Sequence, residues 1–152
     1  MAIAHSLVVF SLDEQHYALD LGCVQRAIRA VTVTPIPKSP PTLLGVLDLG
    51  GLIIPVMNVR ECLNHAPRTM RLSDQIIIAT AAKQTVALLV DETIGVTDRP
   101  QETATPIGTL LARLDLVNGA VQHREGIVIV LNLDRLVSLE ETAIRHVVPN
   151  ED

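Results

Sequence analysis

The sequence predicts an all-β fold with short helices, built as two related modules within one chain, and three observations carry that prediction. The segment Gly45 to Asn58 (GVLDLGGLIIPVMN) reappears as Gly119 to Asn132 (GAVQHREGIVIVLN), 74 residues on, with Ile53 falling on Ile127, Ile54 on Val128, Val56 on Val130, Met57 on Leu131 and Asn58 on Asn132. Ala18-Leu19 and Leu21 match Ala87-Leu88 and Val90 at a second offset, 69. The apolar runs are short and closely spaced between turn signals, as in β barrels and sandwiches. A chain of 152 residues is about one ordinary domain and buries roughly two-thirds of its unfolded surface. The two modules must therefore be small and share packing.

In chain order, Ser6–Leu12 (SLVVFSL) and His16–Leu21 (HYALDL) flank the polar tetrad Asp13-Glu14-Gln15-His16 and read as a hairpin. Thr32–Pro41 (TVTPIPKSPP) holds four prolines; without backbone donors it cannot be a central strand and is expected to cross the surface extended. Pro41–Leu44 can form one helical turn with proline at an early position. The first repeated strand follows, with Gly50-Gly51 as a tight turn, and then the amphipathic stretch Asn58–Leu63. Gln75–Thr80 and Thr85–Val90 form a second hairpin around Ala81-Ala82-Lys83-Gln84. Arg99–Arg113, with Pro100 and Pro106, reads mostly as loop. The second repeated strand leads into Asn132–Leu139, the better of the two helices, running toward Glu141. Asn opens both amphipathic stretches, and its side chain can accept from orphan backbone N–H groups at a helix start. Residues 143–152 are expected to fray.

Composition narrows the function classes. Hydrophobic residues make up 48% of the chain, yet Phe10 and Tyr17 are its only aromatics, so the core must be aliphatic. Twelve Lys and Arg against 17 Asp and Glu give a net charge of −5 with no basic block. Nucleic-acid binding, which draws on clustered cations and aromatic stacking, is not expected. No apolar run approaches the eighteen or so residues of a membrane span, and the N-terminus lacks the basic region of a cleaved signal. Direct membrane insertion is therefore not expected. Cys23 and Cys62 are isolated thiols without a CxxC pair, which argues against zinc or a disulfide framework and for a reduced cytoplasmic compartment.

Catalysis finds no support. The five histidines are scattered without the i, i+4 spacing of a helical metal site. Asp13-Glu14 and Asp91-Glu92 sit at strand ends, where solvated turns explain them, and neighbours in a turn cannot face each other across a cleft. Gly50-Gly51 lacks the lysine and helix of a phosphate loop, and no serine has a nucleophile-elbow context. No catalytic, cofactor or metal residue is therefore expected.

The ordered set Phe10-x-Leu12, Tyr17-Ala18-Leu19, Val24, Ile36-Pro37, Pro40, Leu44-Gly45-Val46, Gly51, Ile54-Pro55-Val56 and Val90-Asp91 resembles the CheW family of bacterial chemotaxis coupling proteins, from about Leu7 to Leu139. The resemblance implies a single domain over 1–152, made of two five-stranded SH3-like barrels packed side by side. One would lie mainly within 17–74 and the other within 75–139, with the N-terminal strand crossing between them. It implies a non-catalytic adaptor joining the cytoplasmic tips of chemoreceptors to the regulatory domain of a histidine kinase, cytoplasmic and recruited to membrane receptor arrays.

By motif position Val24, Arg26, Gly45, Leu49 and Gly50 become candidates for receptor contact, with Ala27 and Ile28 as candidates for the kinase. Two positions depart from the family pattern. The usual Asn-Leu-Arg-Gly reads Asp48-Leu49-Gly50-Gly51, and the usual Val-x-Glu reads Val24-Gln25-Arg26. If positions 26 and 50 face each other, Arg26 beside a retained arginine would place like charges close; Gly50 removes that conflict. Such a coordinated change would alter specificity more than stability, because an exposed ion pair contributes only about 0–1 kcal/mol. The alternatives are a divergent scaffold of this type in another kinase pathway, such as surface motility, and a small-molecule module. The latter needs convergent polar groups in an apolar pocket.

Overall fold

The computed structural model describes residues 5–81, 84–99, 116–123, 126–138 and Ile144. The strands are β1 (His5–Leu12), β2 (Gln15–Asp20), β3 (Val24–Arg29), β4 (Leu43–Leu49), β5 (Leu52–Met57), β6 (Gln75–Ala81), β7 (Gln84–Val90), β8 (Glu92–Arg99), β9 (Val117–His123) and β10 (Gly126–Leu131). Two short helices follow the repeated strands, α1 (Val59–Cys62) and α2 (Leu133–Ser138). The strands form two five-stranded sheets, β8-β1-β2-β10-β9 and β3-β6-β7-β5-β4.

Register makes the internal repeat literal. In the second sheet one row runs Arg26, Ile78, Ala87, Val56, Gly45. In the first the corresponding row is Gly95, Val9, Ala18, Val130, Gly119. The offset is 69 for the first three positions and 74 for the last two, as in the sequence. The connector from β8 to β9 accounts for the five-residue difference.

Each module gives its hairpin to the other sheet: β1 and β2 join β8, β9 and β10, whereas β6 and β7 join β3, β4 and β5. Residues 75–90 thus lie in the sheet of 24–57, and residues 17–20 lie in the other. The connections explain why. Beside its own module's hairpin, β3 would run parallel to β2, and a parallel connection needs a crossover of a dozen or more residues. Only the short 3-10 turn Leu21–Cys23 is available, and only Asp91 links β7 to β8. The chain therefore steps directly into the neighbouring sheet.

Exchange leaves the hairpins covered on both faces. Ile76, Ile78 and Ala87 face a core with Leu47, Ile54 and Val56. Leu7, Val9 and Ala18 face another with Val121, Val128 and Val130. The alternate residues meet in a larger core between the sheets, where Phe10, Leu12, Tyr17 and Leu19 pack with Ile77, Ala79, Val86 and Leu88. Two-sided burial is why these strands read as nearly continuous apolar runs.

Several local expectations change. Pro41 and Thr42 turn directly into β4, with the Leu43 N–H donating to Pro40 O at 3.0 Å; the alternation of buried Leu43, Gly45 and Leu47 wins over helix. The proline connector, expected to cross extended, bridges β4 through Thr34 and Val46, with N–H···O bonds of 2.8 and 2.9 Å, and then turns at Pro37-Lys38, where the Ser39 N–H donates to Ile36 O at 3.3 Å. α2 is the longer helix, as expected. Of the tail expected to fray only Ile144 is described, and it is buried in the shared core. The expectations for 100–113 and 145–152 lie outside the described residues.

Candidate interaction surface

Among the described residues β3 is an edge strand, paired through β6 alone. Its polar composition fits that place, since Val24 and Ile28 are half-buried while Gln25, Arg26, Ala27 and Arg29 are exposed. Val24 packs against the shared core and Ile28 against the core of its own sheet. Of the residues expected to contact partners, Arg26 and Ala27 are thus the exposed ones on this strand.

The candidates on the opposite edge divide. Gly45 is buried, and a Cβ there would stand 2.1 Å from the Thr34 carbonyl oxygen. Its glycine lets the connector cross β4, which is a role in the fold. Leu49 is half-buried against its sheet's core. Gly50 and Gly51 form the two-residue turn into β5 with φ of 62° and 94°, as a turn matched to strand twist requires. Asp48 Oδ1 accepts from the Gly51 N–H at 2.7 Å. Nothing joins Arg26 to this turn: its row ends at Gly45, five residues before Gly50, on the other edge of the sheet. The expected direct facing of 26 and 50 is absent among the described contacts.

Sequence reasoning missed the apolar residues beside that turn. Leu52 and Ile53 are about half exposed, and Ile127, the repeat partner of Ile53, is exposed as well. Both copies keep an outward isoleucine at one position, a signal present in the repeat itself. Ile94 and Val96 add an exposed apolar stretch on β8, the edge of the other sheet.

It also missed a charge network at the joint between the sheets. Asp13 and Glu14 form the β1–β2 turn with φ of 49° and 70°. Buried Arg60, on α1, donates to both Asp13 carboxylate oxygens at 2.7 and 2.8 Å and to both of Asp91 at 2.9 Å. Arg68 donates to Asp91 and to buried Asp74, the latter at 2.9 and 3.2 Å. His65 Nδ1 lies 3.1 Å from Asp13, and its Nε2 lies 2.6 Å from the Tyr17 hydroxyl. Of the four turn carboxylates expected to be merely solvated, Asp13 and Asp91 are thus ion-paired.

Electrostatics follows that geometry. Hydrogen bonds from Arg60 and then His65 hold Asp13 well below the usual carboxylate range, while the bond to Asp13 raises Arg60 and that to Asp74 raises Arg68. Burial opposes ionisation of Asp91, but the Asp13 N–H and the two guanidinium groups outweigh it and hold its carboxyl below the ordinary value. Burial, then the Asp13 charge, pushes the Tyr17 hydroxyl up.

A pocket of about 180 Å³ opens beside the network, walled by Val33, Pro35, Leu44, Met70 and Leu89. Polar groups do converge there, but Arg60 and Arg68 already meet Asp74 and Asp91. Among the described residues no group of three or more His, Cys, Asp or Glu is placed to hold a metal, and no helix is long and apolar enough to cross a membrane.

The model of the CheW-like domain family matches residues 6–141. The chemotaxis protein CheW of Thermotoga maritima is 29% identical over 137 residues, spanning 90% of this chain and 88% of that protein. That of Treponema pallidum is 25% identical, spanning 89% and 83%. The crystal structure of the scaffolding protein TtCheW from Thermoanaerobacter tengcongensis superposes with a TM-score of 0.81 at 27% identity, covering 90% of this chain and 89% of that one.

Proposed function

The chain belongs to the CheW-like domain family, and from that premise we propose that it is a non-catalytic coupling adaptor between chemoreceptors and a CheA-type histidine kinase. The observation that carries this reading is the match of sequence and fold over nearly the whole length, 6–141 by family and 90% by structure. Proteins of this family act as scaffolds. In the finer reading, the receptor tip meets the exposed part of β3 around Arg26 and the hairpin end at Leu49 and Gly50. The kinase regulatory domain meets the same sheet through Ala27, Ile28 and the apolar Leu52 and Ile53. The protein works in the cytoplasm and is drawn to membrane arrays by its receptors.

Capture by the receptor tip and kinase regulatory domain encoded in the same organism tests the reading. Binding of either at micromolar concentration, weakened about tenfold or more by Leu52→Asp with Ile53→Asp, is expected, since apolar anchors carry much of an interface's energy. No binding of either partner defeats it.

Arg26 and Gly50 favour a second reading, a scaffold whose receptor or kinase is not the conventional one. Under it, Arg26→Glu combined with Gly50→Arg shifts affinity for a conventional receptor tip beyond the sum of the single changes. Because the two positions make no direct contact, that coupling would have to pass through a shared partner; additivity in the cycle removes the reading.

A further inference from the structure

We propose that the free edge of β3 receives an extended segment of a partner protein that carries two acidic residues three positions apart. The site overlaps the receptor-facing strand proposed above, and the inference rests on that reading only for which protein supplies the segment.

An edge strand offers unpaired backbone N–H and C=O groups, and a partner strand can add to it. Side chains directly opposite in such a pair share one face of the sheet. Arg26 lies opposite Ile78, on the face of its sheet's own core, and Arg29 lies opposite Gln75, on the other face. Both arginines are exposed, and among the described residues neither has an ion-pair partner. A segment laid along β3 therefore meets a cation on one face and, three residues along, a cation on the other. Acids at i and i+3 satisfy both, whereas acids at i and i+2 point to a single face.

The fold does not require these charges. On β8, the equivalent edge strand of the other sheet, the corresponding positions are Gly95 and Asp98, and Asp98 accepts a hydrogen bond from Ser6. The arginines belong to one copy of the repeat alone, in a chain whose net charge is −5. The loop before β6 adds Arg71 and the almost fully exposed Leu72, which line one depression with Arg29; three acids line it too, Asp74 and Asp91, both bound by Arg68, and Glu92.

No segment of this sequence fits, because no two of its 17 acidic residues stand three apart. A second copy pairing edge to edge through β3 would bring arginines toward arginines. An acidic segment from another protein remains.

The test uses the full chain, isotope-labelled, and eight-residue Val/Thr peptides bearing Glu at i and i+3, Glu at i and i+2, or Lys at i and i+3. The Glu i, i+3 peptide is expected to shift the amides of Val24–Arg29 and to bind at least tenfold tighter than either other peptide. Arg26→Glu with Arg29→Glu should reverse the preference to the lysine peptide; Arg26→Gln with Arg29→Gln, which adds no new charge, should abolish it. Equal binding of the two Glu peptides, or shifts outside β3, overturns strand addition. No binding also overturns it and leaves the arginines as guards against edge pairing. Peptide binding on β3 without capture of receptor or kinase would sink the adaptor reading and leave this site standing; the opposite pattern would do the reverse.

Discussion

Gly45 and Gly50 were both candidates for partner contact, and their surroundings give them opposite roles. A methyl group at 45 would overlap the Thr34 carbonyl, at a φ of 150°. At 50 it would meet open space, with only the φ of 62° to strain it. Gly50→Ala is expected to cost about 1 kcal/mol, the usual penalty for a left-handed non-glycine residue. Gly45→Ala is expected to cost roughly 3 kcal/mol, as in overpacked cores, and urea unfolding separates the two. Asp13 sets an acid limit. Its folded pKa lies below its ordinary value of 3.8, so its contribution is complete above that pH and is lost as pH falls below it. Asp13→Asn is expected to flatten the loss of stability below about pH 4, a slope read from thermal unfolding across pH. Of these residues the sequence marked Gly45, Gly50 and Asp91 through motif position. It could not show that Thr34 presses on Gly45 or that Arg60 reaches Asp13, because the first contact needs the connector to fold back over β4 and the second joins residues far apart in the chain.

Among the elements, the two helices show where local signals suffice. Asn58 accepts from the Glu61 N–H at 3.3 Å and Asn132 from the Arg135 N–H at 3.1 Å, so both open their helices as their position in the repeat predicts. Asn58→Ala and Asn132→Ala are each expected to lower stability by about 1 kcal/mol, the usual cost of an N-cap, in chemical denaturation. The hairpins and repeated strands were legible because their apolar residues alternate or run unbroken. β3 and β8 carried no comparable signal: these two edge strands bury little, and their sequences, VQRAIR and ETIGVTDR, lack a core-facing stripe. The surfaces with most to offer a partner are therefore the ones least visible in periodicity, and β3 entered the candidate set only through its family motif.

At the scale of the molecule, the exchange of hairpins makes the two halves interdependent. Each sheet takes two strands from one half and three from the other, and the largest core lies between the sheets. Repeat spacing revealed two modules but could not reveal the exchange, since an equal number of strands per module fits either arrangement; the short links at Leu21–Cys23 and Asp91 carried the information. The consequence is testable at Leu72, the most exposed large apolar residue described and part of the loop between α1 and β6. Exposed loop tips are preferred sites of nicking, and a cut there separates the chain into halves that each lack the hairpin completing their own three-stranded remainder. The nicked protein should stay together in gel filtration and unfold in one cooperative transition, because no sheet can open without stripping the shared core. Separated in urea and returned to buffer alone, neither half should show a cooperative transition, while mixing them restores it. A half that folds by itself would mean that the hairpin can return to its own module, and that the exchange is a preference rather than a requirement of the short links.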